Sequence, residues 1–273
     1  MTTRLKTATA LFAWATLAMA SAASAATWTF SSTTPVTQDG ITASASAWSN
    51  TVGTSNTVLE SAYLTSWSGG LGVKNNDCGV APCTGSGDTN EGISPEHAID
   101  NDQRKDSILF TFSGDKVNLT STYFGWVSGD ADFSVYAYTG VGSAVDALNG
   151  ATYTDAGMLA SGWTLISHSE GSQGNNTINK VAGTADIYSS YWLIGASNSN
   201  VANDYYSSSS GKWKEYKDYF KLLKVAGTGF CADKPNDPSC GGTPPGGVPE
   251  PATLLLMGAG LLGMTRLSRR RAA

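Results

Sequence analysis

Between Asp132 and Thr139 apolar and polar positions alternate. Phe133, Val135 and Ala137 fall on one face and Ser134, Tyr136 and Tyr138 on the other, the period of a half-buried β-strand. Comparable runs rich in β-branched and aromatic residues recur at 27–30, 41–48, 62–67, 107–112, 117–126, 162–168, 191–196 and 219–225, each bounded by Gly, Asn, Asp or Ser. No long stretch carries apolar residues at helical spacing. About nine such strands predict an all-β body, a single β-sandwich of jelly-roll type. One helical turn is expected at 94–99, where Ser94 is a cap and Pro95 takes the first helical position.

The pattern changes at both ends. Arg4 and Lys6 precede an uncharged, apolar run over 8–20, and small residues follow at 21–26. That order predicts a signal peptide over 1–25, removed by signal peptidase after passage through the Sec machinery, with the mature chain starting at Ala26. The body then covers 26–240. Residues 241–247 read GGTPPGG, a linker too rich in Gly and Pro to pack a core. Val248, Pro249, Glu250 and Pro251 come next, then an uncharged apolar run over 252–264 that predicts a single hydrophobic helix of about 20 Å. Arg266, Arg269, Arg270 and Arg271 close it, a charge asymmetry that holds this side of the helix in the cytoplasm and leaves the body across the membrane.

The order Pro-Glu-Pro, apolar helix, Arg cluster resembles the PEP-CTERM sorting signal of exosortase substrates. The resemblance implies that Val248, Pro249, Glu250 and Pro251 are the element exosortase recognises, and that the four arginines are the topological stop. It further implies a bacterium with two membranes, an intermediate held in the inner membrane, and a destination at the cell surface or extracellular matrix associated with exopolysaccharide. Segments of the body, 94–112, 125–140 and 218–225, are similar to a recurrent exosortase-dependent surface-protein body, a likeness that implies localisation and no activity.

Charge narrows the partners. Six of the 17 basic residues and one of the 22 acidic residues lie in the end segments, leaving 11 basic against 21 acidic and a body charge of about −10. Such a body repels phosphate backbones, so no nucleic-acid partner is expected. Lys212, Lys214, Lys217, Lys221 and Lys224 alternate with other residue types and read as the solvated face of a late strand pair.

The four cysteines form two local pairs, Cys78 with Cys83 and Cys231 with Cys240, each in a turn-rich segment. Export permits disulfides, and local pairing is the reading adopted. Zinc is disfavoured, because the spacings are wide and His97 and His168 are the sole histidines. Asp100, Asp102 and Asp106 invite a calcium reading; Arg104 and Lys105 stand where an EF-hand needs an oxygen ligand and Gly, which leaves a looser structural calcium site as the form to expect. No other cofactor is expected.

Neither GxSxG nor HExxH occurs, and no catalytic residue is assigned. Asp130 and Asp132 could serve as a glycosidase pair only at a separation that sequence spacing does not fix. The 8 Trp and 11 Tyr admit sugar stacking, although most such rings belong in a core. A noncatalytic surface protein is favoured, with a secreted hydrolase acting on polysaccharide as the alternative.

Overall fold

The computed structural model describes residues 25–52, 57–76, 97–102, 104–198, 205–207, 212–214 and 217–240. The segment read as a signal peptide up to residue 24, the linker, the apolar run expected to be a helix in the tail, Cys78 and Cys83 lie outside them. Among the described residues no helix is long and apolar enough to cross a membrane.

The body is built mostly of strands. In chain order these are β1 (Ala26–Thr29), β2 (Val36–Gln38), β3 (Ile41–Val52), β4 (Val58–Trp67), β5 (Gly70–Lys74), β6 (Ile99–Asp100), β7 (Asp106–Ser113), β8 (Val117–Val127) and β9 (Phe133–Tyr138). Two short helices follow, α1 (Ala144–Leu148) and α2 (Asp155–Ala160). Then come β10 (Trp163–Ser169), β11 (Gly174–Thr177), β12 (Tyr191–Ala196), β13 (Tyr205–Ser207), β14 (Lys212–Lys214), β15 (Tyr219–Gly229) and the single turn α3 (Phe230–Asp233).

Thirteen of these strands form one antiparallel sheet in the order β10-β9-β12-β7-β3-β4-β5-β15-β8-β11, with β2 beside β3 and both β1 and β6 beside β15. β13 and β14 form a separate pair. The sheet turns a corner inside β4. Its first half pairs with β3, ending at Ala47↔Ala62, while its second half pairs with β5 from Tyr63↔Lys74 onward. The two halves then meet through their apolar faces. Trp28 of β1 packs edge-on against Phe112 of β7 at 4.9 Å, and Phe124 of β8 against Phe133 of β9 at 5.2 Å. Trp192, Phe220, Leu222 and Val225 complete this core.

Three local expectations are corrected. β9 is buried on both faces rather than one, because the segment carrying α1 and α2 covers its outer side. Tyr136 there joins Leu148, Met158, Trp163 and Leu193 in a second apolar cluster. These helices were not foreseen, although each starts with a capping side chain. Ser143 Oγ accepts from Asp146 N–H and Thr154 Oγ1 from Gly157 N–H. The helical turn at 94–99 does not extend to its last residues: His97 has φ +66° and Ile99–Asp100 is strand, paired with Phe220 and Tyr219. The His97 carbonyl also lies where a Cβ on Gly72 would stand, 1.8 Å away, so β5 needs glycine at that point.

Cys231 and Cys240 are joined by a disulfide that closes the turn after β15. Replacing both by serine should lower stability by roughly 2–3 kcal/mol through the freed loop of the unfolded chain. Urea titration of oxidised protein against the double variant measures this, and a loss under about 1 kcal/mol would show that the bridge contributes little to the fold.

Candidate functional site

Strand pairing assembles a Ser-His-Asp arrangement that no local motif announces. Neighbouring strands β9 and β10 place Ser134 opposite His168. Ser134 Oγ lies 2.8 Å from His168 Nδ1, and His168 Nε2 lies 3.1 Å from Asp155 Oδ2 at the start of α2. Tyr136 donates to Asp155 Oδ1 at 2.6 Å, and Asn198 Nδ2 reaches the Tyr136 oxygen at 2.6 Å. Burial, first of all, pushes the Tyr136 hydroxyl far above the ordinary phenol range, with Tyr153 and Asp155 adding to it. Tyr136 therefore stays protonated and donates. Ser134 is fully buried, and its Oγ also meets Asn198 Oδ1 at 3.0 Å and Asn198 N–H at 3.2 Å. An acyl carbon has no open line to that oxygen, so the arrangement as folded ties α2 to the sheet.

Acidic side chains gather at a second place. Asp130, Asp132 and Asp218 offer carboxylate oxygens within 4.8 Å of one another, the kind of donor a hard cation takes. Sequence analysis singled out the first two and missed the third, 86 residues from Asp132. The Asp218 oxygens are served by the chain itself: Oδ1 takes the Asp132 N–H at 2.7 Å, and Oδ2 takes the Asn101 amide at 2.6 Å and the Ser197 N–H at 3.3 Å. Asp130 Oδ1 accepts from the Ala131 N–H. The group therefore works as a buried clasp between β15, the β8–β9 connection, the end of β12 and the residues after β6.

Of the acids read as a calcium loop, Asp100 and Asp102 flank Asn101 and so border that clasp. Asp100 lies on β6 and accepts from the Asp102 N–H at 3.0 Å. Asp102 takes the Tyr219 hydroxyl at 2.7 Å and pairs with Lys217. Asp106 starts β7, opposite Ser49.

A cavity of about 730 Å³ beside α3 is lined by Phe112, Asp115, Asp186, Tyr188, Phe230 and Asp237 among others. Two of its acids serve local turns. Asp115 accepts from Lys116 and Cys231 N–H groups, and Asp237 from the Ser239 hydroxyl and N–H, which hold the Asp237 carboxyl below the usual carboxylate range. A glycosidase acid needs the opposite shift.

The outer face of the β4-β5-β15-β8 half carries aromatic rings and lysines. Trp67 is 49% exposed and stacks on His97 at 5.3 Å. Lys221 Nζ sits 5.3 Å from the Trp67 ring and 5.1 Å from the Trp126 ring, and Lys224 Nζ sits 5.0 Å from Tyr123. A bulge in β15 at Leu222 and Leu223 keeps Phe220, Leu222 and Val225 inward while Lys221 and Lys224 point out. Gly125 lets the Trp67–Gly70 turn settle on β8, since a Cβ there would meet the Gly69 carbonyl oxygen at 2.4 Å. The two indoles are thereby brought to one ammonium.

Val248, Pro249, Glu250, Pro251, Arg266, Arg269, Arg270 and Arg271 lie outside the described residues. Residues 247–271 match the family described as the PEP-CTERM protein-sorting motif. No curated protein and no solved structure matches the chain. A tail of this kind marks an exported protein that exosortase processes and sorts to the cell envelope.

Proposed function

We infer that the body is a noncatalytic surface or matrix protein, associated with exopolysaccharide, that reaches its place by way of an inner-membrane-held precursor. The observation that carries the sorting half of this reading is the match over 247–271, where motif, apolar run and arginines stand in one order. The final attachment follows cleavage near Val248, Pro249, Glu250 and Pro251, with Arg266, Arg269, Arg270 and Arg271 as the cytoplasmic stop. We read the folded sheet as a jelly-roll-like sandwich, because its two halves share one core.

The noncatalytic half rests on how the acids and Ser134 are used. Ser134 is closed off, Asp218 is engaged by backbone and amide donors, and Asp115 and Asp237 hold turns. A hydrolase needs a group left available to substrate. The hydrolase alternative draws on the Ser134, His168 and Asp155 geometry, and requires β9 and residue 198 to part before any substrate could enter.

Ending the chain after Gly247 tests the sorting reading. The linker uncouples the tail from the body, so the truncated protein should be exported, folded and soluble, without a membrane-held precursor on fractionation. A truncated protein that still appears in the inner-membrane fraction would mean the tail is not its anchor.

A further inference from the structure

Two lysines on the outer face are held by aromatic rings. Among the described residues, Lys221 and Lys224 are engaged by rings alone, the first between Trp67 and Trp126 and the second over Tyr123. Burial between the indoles lowers the Lys221 pKa, with no neighbouring carboxylate to oppose it. Asp102, near the edge of this half, is already taken by Lys217 and Tyr219. In a body with nearly twice as many acids as bases, two cations engaged by rings form a local exception to its charge.

The strip has a regular layout. Lys221 stands beside Trp126 and Lys224 beside Tyr123 in the β15–β8 register. The two ammonium groups are thus spaced by about three strand residues, roughly 10 Å. Next to Tyr123 and Lys224 a shallow cavity of about 250 Å³ adds Thr27, Ser121 and Asn175, side chains that exchange hydrogen bonds with hydroxyls. Tyr63, 45% exposed, extends the aromatic row along β4.

We propose that this face binds an anionic polysaccharide, with sugar carboxylates on Lys221 and Lys224 and pyranose faces against Trp67, Trp126 and Tyr123. Flat apolar sugar faces suit exposed rings, and a carboxylate suits an ammonium already stripped of part of its water. The charge spacing separates this ligand from duplex nucleic acid, which carries a negative charge about every 1.7 Å and binds through many cations at once. Two lysines about 10 Å apart, each seated among rings, suit a chain that sets carboxylates beside apolar sugar faces better than a phosphate duplex. The proposal deepens the exopolysaccharide reading and rests on it, but it is independent of the sorting tail.

Affinity electrophoresis of the purified full-length chain tests it, in native gels containing polygalacturonate, neutral dextran or duplex DNA. Polygalacturonate should retard the protein, and added salt should weaken that retardation. Lys221→Met and Trp67→Ala should each weaken binding about tenfold, while Lys221→Arg should keep most of it. Unchanged melting curves show that the variants fold, and Trp67 is exposed enough for its loss to spare the core. No retardation by polygalacturonate overturns the proposal, as do variants that bind like the parent. Dextran binding of equal strength overturns the anionic assignment, and tighter DNA binding overturns the ligand class. Tail processing is scored separately in the producing cells, so a failure of sorting and a failure of binding are told apart.

Discussion

On the proposed sorting route, alanine in place of Pro249, Glu250 and Pro251 should leave the protein uncut in the inner-membrane fraction, while the parent should be processed and released. The effect should be close to complete, because the substitution alters the recognition element and nothing that holds the chain. Residues 252–264 are still an uncharged apolar run, and Arg266, Arg269, Arg270 and Arg271 still follow it. Replacing Arg269, Arg270 and Arg271 should act differently. The motif remains, the charge asymmetry falls, and the chain should slip from the membrane before it is cut. Immunoblots of fractionated cells distinguish the three outcomes by precursor size and compartment. Processing and release of the Pro-Glu-Pro variant at the parent's rate would falsify the sorting role of these residues.

The second large effect is expected at Asp218. Its carboxylate is 1% exposed and gathers the Asp132 N–H, the Asn101 amide and the Ser197 N–H. Asp218→Ala removes that acceptor, so the Asp132 N–H and the Asn101 amide lose their short bonds to it, while the Ser197 N–H keeps the Asp132 carbonyl at 3.0 Å. Charge-assisted bonds contribute about 1.5–3 kcal/mol each and do not add fully, so a loss of roughly 3–5 kcal/mol is expected. That is a large share of the roughly 5–15 kcal/mol that a domain has in total. Asp218→Asn should lose more than half as much. One amide oxygen can still serve Asp132, but the new NH2 group then faces the donors of Asn101 and Ser197. Urea unfolding followed by tryptophan emission gives both values, and a shift under about 1 kcal/mol for alanine would remove the clasp from the account of stability.

The strands were legible where side chains alternate or where aromatic and branched residues run together. β12 was read with its observed bounds, and β7 and β8 to within one residue at either end. β5, Gly-Leu-Gly-Val-Lys, was not legible. Its glycines exist for close passage of the His97 carbonyl and the Leu222 backbone, a demand made by residues far along the chain. α1 and α2 left a signal, since Ser143 and Asp146 stand in a capping spacing, but five or six residues give too short a period to weigh. The outer burial of β9 followed from those helices and was missed with them. The clasp and the Ser134, His168 and Asp155 arrangement were invisible for one reason. Their members meet through sheet register, and register over such separations is a product of the whole fold.

β15 is the body's last long strand before the linker, and it lies between neighbours on both sides. It pairs with β8 from Phe220↔Val127 to Gly229↔Val117, and with β1, β5 and β6 as well. Tension entering through the C-terminal side therefore pulls lengthwise on an inner strand. Drawn that way, the strand must slide past its partners, and the β8 ladder resists along its whole length at once instead of opening rung by rung. The body is joined to its tail at a point where the sheet bears load in shear, the stronger direction for hydrogen bonds arranged in parallel.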